Sequence, residues 1–291
     1  MSRGTTLTLF SSIIAFIISV LAGAFGSVLG IGGGLFIIPS LTLFLGIPLK
    51  TAIAASIVAV IATSLSAGNA YLRSHVADMR LGLVLALATA PSAVVGALLA
   101  TQVSARVLAA FFALTLAASA QRMLATSKRA ATETRHAQSD RESSSLQFRS
   151  EYIDQASGNK IQYAVRHVPV GVATSAIAGL ISGMLGVGGG IVQVPVMNVV
   201  MNVPIKVATT TSTYVIGITA MAGAFVYYNH RPSYVDPALT LPVTIGVFLG
   251  ASFGSILIGR IRPTVLRNLF IAVLMVYAVQ MALRVFGIGG G

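Results

Sequence analysis

The stretch LGIGGGLFIIP, residues 29–39, decides how the chain is read. It lies inside an uncharged, mostly apolar run where a membrane helix is expected, yet it holds four glycines in five residues and ends at Pro39. Glycine and proline disfavour helix interiors by about 1 and 3 kcal/mol relative to alanine. A break at that depth also frees backbone amides and carbonyls that lipid cannot satisfy. A second copy, LGVGGGIVQVP at residues 185–195, shows that the break is a repeated feature.

The surroundings of the two copies set the class. The chain has 291 residues, of which 55% are hydrophobic and 9% charged, and its mean hydropathy is +0.88. Soluble domains carry about a quarter charged residues, so this is an integral membrane protein. With no Cys, disulfides, thiol catalysis and cysteine metal sites are excluded. The N-terminal 30 residues have the outline of a signal peptide, but their apolar character runs on too far, which predicts a retained first helix.

Charges punctuate the chain. Intervals without Asp, Glu, Lys or Arg run 4–49, 51–72, 81–105 and 107–121, then 167–205, 207–230, 237–259 and 268–283. A spanning helix needs about 20 apolar residues. The first interval of each set is too long for one helix and fits a full helix, the glycine break and a short second segment. The runs lack the polar alternation of a membrane barrel.

The two sets are related. Displacing the chain by 156 residues lays Gly23, Gly30, Gly32, Gly33, Gly34, Pro39, Pro48, Lys50, Ser56 and Tyr71 on Gly179, Gly186, Gly188, Gly189, Gly190, Pro195, Pro204, Lys206, Ser212 and Tyr227. A further two residues bring Asp78 and Gly96 onto Asp236 and Gly254. The expected fold is an all-α polytopic membrane protein with two homologous halves of four or five transmembrane segments, their helices broken at the GxGGG motifs. The first half is 1–121 and the second 167–291. Between them, 122–166 is a polar linker holding 8 of 19 Lys/Arg and 5 of 7 Asp/Glu. Its first part has the composition of a disordered segment. Its second part, LQFRSEYIDQASGNKIQYAV, alternates apolar and polar around a Ser157-Gly158-Asn159 turn and predicts a small hairpin. A linker this basic belongs in the cytoplasm.

Five crossings per half make the halves inverted and four make them parallel. The corresponding Lys/Arg counts are 14 inside to 5 outside and 13 to 6, so charge does not choose. Broken helices around a central site usually accompany inverted repeats, which favours the inverted arrangement.

Residue types narrow the function. Outside the linker the acids are Asp78 and Asp236, both in predicted loops, and no Asp, Glu or His falls within a predicted span. Cation- and proton-coupled transporters usually carry intramembrane acids. The membrane part has 11 Lys/Arg against 2 acids, a field that favours anions. Basic cytoplasmic loops account for much of that excess, so the missing acids carry more weight. An intramembrane enzyme lacks its constellation here, and a nucleotide-binding reading of the glycines lacks its strand and ribose acid.

Glycine runs that abandon the helix expose N–H groups, and a half-helix starting there adds a positive dipole end. The candidate substrate-binding residues are therefore Gly32, Gly33, Gly34, Gly188, Gly189, Gly190 and, in the short segment just past the second triplet, Gln193. Ser56, Thr209, Ser212 and Asn69 are polar candidates on the helices that follow. Thr63, Ser66 and Asn69 form one helical stripe. The competing role for any single Ser or Thr is a bond to its own helix, and for small-xxx-small pairs such as Ser182/Gly186 and Gly246/Gly250 it is close packing. Lys50 and Lys206 repeat near helix ends, as anion attractors or as anchors.

Two halves, each with a G-x-G-G-G-x4-P stretch near its start, joined by a polar linker, resemble the TauE/SafE family of sulfite and organosulfonate exporters. The resemblance covers nearly all of the chain except the linker. It implies a multi-pass permease of the plasma membrane that exports small sulfur-containing anions such as sulfite or sulfoacetate and is not an enzyme. The alternative is an importer or exchanger of other small anions. The expected partners are a small anionic substrate and the lipid bilayer, with no nucleic acid, cofactor or metal. Oligomeric state is left open.

Overall fold

The computed structural model describes residues 9–73, 77–129, 148–153, 160–257 and 279. The first half supplies α1 (Leu9–Leu29), α2 (Gly34–Phe44), α3 (Leu49–Arg73), α4 (Met79–Gln102) and α5 (Ala105–Arg129). Strands β1 (Phe148–Ile153) and β2 (Lys160–Val165) pair with each other. Then come α6 (Val168–Leu185), α7 (Gly190–Pro195), a π-helical turn (Val196–Val200), α8 (Ile205–Asn229) and α9 (Pro237–Leu257). Four of the described helices contain stretches long and apolar enough to cross a bilayer: Leu49–Gly68, Met79–Gln102, Val168–Leu185 and Pro237–Ser255. The chain is a multi-pass, mainly helical membrane protein. The last apolar interval, 268–283, lies outside the described residues.

The chain forms two compact units. One holds 1–103 and 149–258; α5 belongs to the other, with 104–148 and 259–291. The halves read from the sequence are thus stretches of chain and not separate bodies, because their helices interlock within the first unit. The helix α1 packs on α9, and α4 packs on α6. Glycines set both contacts. Gly246 faces Phe16, Gly250 faces Val20 and Gly254 faces Ala24. Numbers that rise together mean that α1 and α9 run parallel. Likewise Gly179 faces Thr89 and Gly183 faces Ala93, so α6 runs parallel to α4. Without side chains at these points the backbones approach closely, as van der Waals association in lipid requires. By contrast α3 and α8 run antiparallel: Gly223 faces Ile57, while Gly217 faces Ser64 nearer the other end.

Proline shapes the short helices. Pro39 and Pro195 sit at matching places in α2 and α7 and remove one i→i−4 hydrogen bond each. The first copy stays α-helical to Phe44, whereas the second widens at Val196, with Met201 N bonding Val196 O at 3.0 Å.

The hairpin expected in the linker is present as β1 and β2; its turn lies outside the described residues. Strand β2 docks on the helices. Val165 is buried in a core with Leu81, Leu85, Met197, Met201 and Val207. Arg166 N donates to Met201 O at 3.0 Å. Tyr163 donates its hydroxyl to Asp78 Oδ2 at 3.0 Å, while Asp78 Oδ1 caps α4 through Leu81 N. Helix α5 also carries helical structure to Arg129, past the predicted linker boundary at 121.

Candidate functional site

The two glycine stretches fold alike and meet. In the first, the helix ends at Leu29, and Gly30, Gly32 and Gly33 have φ of 68°, 82° and 78°. In the second, Gly186, Gly188 and Gly189 have φ of 63°, 88° and 69°. Such left-handed conformations are strained for residues with a Cβ, which is why these places hold glycine. The freed amides of Ile31 and Gly32 turn back onto Gly26 O at 3.1 and 3.3 Å. Helices then restart at Gly34 and Gly190. The amides of Phe36 and Ile37 donate to Gly33 O and those of Val192 and Gln193 to Gly189 O, which leaves the first two amides of each helix without an acceptor inside it.

Each loop is held by the opposite half. The Ser56 hydroxyl on α3 donates to Gly186 O at 2.9 Å. On α8 the Ser212 hydroxyl reaches Gly30 O at 3.5 Å. A Cβ on Gly34 would collide with Gly186 O, and one on Gly190 with Gly30 O. Gly32 faces Val60 and Ile216, and so does Gly188. Val60 and Ile216 are each the twelfth residue of a 25-residue helix. The paired loops therefore sit at the mid-length of α3 and α8.

The predicted residues divide accordingly. Gly32, Gly33, Gly34, Gly188, Gly189 and Gly190 come together with Ser56 and Ser212, all of them buried. Thr209 touches Gly30, and its carbonyl accepts from Thr213 Oγ1 at 3.0 Å. Gln193 is 2% exposed and follows Gly189, whose carbonyl accepts its backbone amide at 3.1 Å. Asn69 stands apart: it is 13 residues beyond Ser56 on α3, about 20 Å along the axis, and its side chain lies outside the described residues. Its stripe neighbour Ser66 bonds α9, at Phe248 O and Ser252 Oγ.

A hydroxyl has one proton to donate. Ser56 gives it to a carbonyl, so toward a ligand it offers lone pairs and no donor. Donors at this place are the backbone amides that open α2 and α7. Thr63, outside the candidate set, belongs here: its hydroxyl reaches Gly32 O at 3.2 Å. So does Ser182, whose Cβ lies 3.3 Å from the Cβ that Gly189 would carry. The signal for Ser182 was a mismatch between copies, since Gly26 stands 156 residues earlier.

The lysines behave differently from one another. Lys50 donates to Thr101 O at 2.8 Å in the last turn of α4 and lies 5.6 Å over the Tyr234 ring. A cation at a helix C-terminus and over an aromatic face is an anchor. Lys206 is exposed. Among the described residues no three His, Asp or Glu side chains stand together as a metal ligand set.

A profile of the family described as "Sulfite exporter TauE/SafE" matches residues 15–281. Probable membrane transporter protein YunE of Bacillus subtilis (strain 168) is 26% identical over 253 residues, 84% of this chain and 88% of that protein. Probable membrane transporter protein YdhB of the same strain is 26% identical over 257 residues, 88% and 92% of the two chains. Probable membrane transporter protein MJ0441 of Methanocaldococcus jannaschii is 30% identical over 114 residues, 37% and 42% of the two chains. No solved structure gives a significant match.

Proposed function

The chain belongs to the sulfite exporter TauE/SafE family, a family of membrane transporters, and from that premise we propose that it exports small sulfur-containing anions such as sulfite or sulfoacetate across the plasma membrane. The observation that carries the reading is the meeting of two glycine loops at the mid-length of α3 and α8. Val60, which faces both loops, stands near the centre of the apolar stretch Leu49–Gly68, and this supports a site near the bilayer midplane. There the first turns of α2 and α7 offer neutral backbone donors and a favourable dipole end to a negative ligand.

The halves act as inverted repeats. Support comes from helix directions: α1 parallels α9, α4 parallels α6, and α3 opposes α8. Then α1 and α6, the opening helices of the two halves, point in opposite directions. Rocking of such repeats about a central site gives alternating access.

Export needs no coupling ion. A monovalent anion leaving a negative-inside cell gains about 2.3 kcal/mol per 100 mV. That fits a membrane part whose acids, Asp78 and Asp236, serve as helix caps. The test is anion efflux from proteoliposomes holding sulfite, sulfoacetate, acetate or chloride, with potential imposed. Efflux of the sulfur anions that rises with an inside-negative potential supports the proposal. Absence of sulfur-anion flux, with acetate or chloride moving instead, removes it.

A further inference from the structure

Pseudo-equivalent positions in the two loops differ at two residues, and the difference lies around Gly189. Ser182 is 1% exposed and Gln193 2%. Among the described residues neither Ser182 Oγ nor Gln193 Oε1 has a hydrogen-bond partner. Ser182 Cβ approaches Gly189 from α6, and Gln193 is bonded through its amide to the Gly189 carbonyl. In the first copy Gly26 and Ile37 hold these places. Ile37 is fully buried and has no polar atom to offer. A Cβ on Gly26 would run into the Gly33 amide, so that loop lies directly on its helix. The second loop stands off far enough to admit a serine.

Buried polar atoms without partners are rare, because each loses its bonds to water and gains nothing. Among the described residues Ser19, Thr240 and Thr244 also carry such an atom. Ser182 and Gln193 are the two that stand at the second glycine loop, one packed against Gly189 and the other one helical turn after it. Their counterparts in the first copy have no polar side chain, and this points to a ligand. We infer that the side-chain contacts to the anion are one-sided, made by the Ser182 hydroxyl and the Gln193 side-chain amide at the second loop, while the first loop offers backbone groups alone. Turning the amide about its last torsion presents its NH2 group in place of its oxygen. Two neutral donors on separate elements suit an oxyanion with several acceptor oxygens better than a halide. This deepens the proposed function and rests on it.

The test uses the whole chain in proteoliposomes and in detergent, with Ser182→Ala, the volume-conserving Gln193→Met, and Ile37→Leu as the first-copy control. Sulfite and sulfoacetate are the probes and chloride is the comparison. Thermal unfolding without anion should be unchanged or shifted up in Ser182→Ala and Gln193→Met, since an orphaned polar atom is gone. The upward shift given by sulfite or sulfoacetate should shrink, with apparent affinity weaker by roughly tenfold or more in each. Ile37→Leu should keep both. Wild-type affinity and flux in Ser182→Ala and Gln193→Met overturn the inference while leaving anion transport standing. Lower melting temperatures with unchanged affinity assign the two atoms to folding and also overturn it. If the wild-type protein neither moves nor is stabilised by either sulfur anion, the functional reading beneath it falls instead.

Discussion

Ser56 donates its hydroxyl to the carbonyl of Gly186, 2.9 Å away and 130 residues on. The bond ties a helix of the first half to the glycine loop of the second. Its counterpart between Ser212 and Gly30 is longer, at 3.5 Å. Ser56→Ala leaves a buried carbonyl unpaired and should destabilise the protein by about 1–2 kcal/mol. Ser212→Ala should cost less. Thermal unfolding in detergent checks the order, and equal losses would show that the longer contact is as strong as the shorter.

Side-chain bulk should act unequally on the two loops. Gly33 and Gly189 both have positive φ, but a Cβ on Gly33 would lie 2.9 Å from Ala22 O, against 3.2 Å from Ala178 O for Gly189. Gly33→Val should therefore be the more destabilising. If amides beside Gly189 face the ligand, Gly189→Val should abolish anion efflux in protein that still folds. Unaltered efflux in Gly189→Val, with folding confirmed by its melting curve, contradicts that role.

The linker should divide into a dispensable and a required part. Residues 131–145 are charged and polar with almost no apolar content, so their deletion should leave transport largely intact. Strand β2 is different, because Val165 fills the core and Tyr163 bonds Asp78. Tyr163→Phe should cost about 1 kcal/mol, and Val165→Asp should prevent folding. Expression and melting temperature of the three variants check this; a well-folded Val165→Asp protein would show that β2 is not part of the core.

Flux should follow potential more than proton gradient. No carboxylate stands within the described membrane helices to relay a proton. Clamping potential and pH gradient separately in proteoliposomes tests this, with a sulfonate as the probe because its protonation does not change near neutral pH. Sulfonate flux that tracks the pH gradient and ignores potential would rule out uniport.

How much of this was legible in the chain depends on the range of each interaction. Membrane class, the positions of both helix breaks and the doubling of the motif are local properties. They follow from hydropathy, from the glycine triplets at Gly32–34 and Gly188–190, and from their spacing. The hairpin was readable for the same reason, since apolar alternation and turn residues act over a few positions.

What the tertiary structure decided lies between residues far apart. The sequence marks Ser56 and Ser212 as polar groups in apolar helices, but only the fold shows that they grip the opposite loop and so have their protons engaged. The fold likewise separates Asn69 from Ser56, 13 residues earlier on α3. The docking of β2 depends on Tyr163 meeting Asp78, 85 residues earlier. Ser182 reads as a packing residue because a small side chain near a glycine usually is one; that its hydroxyl has no partner among the described residues is visible only in the folded chain. Sequence fixes what a residue can donate or accept, whereas whether that capacity is used depends on partners that the chain brings together from the other half.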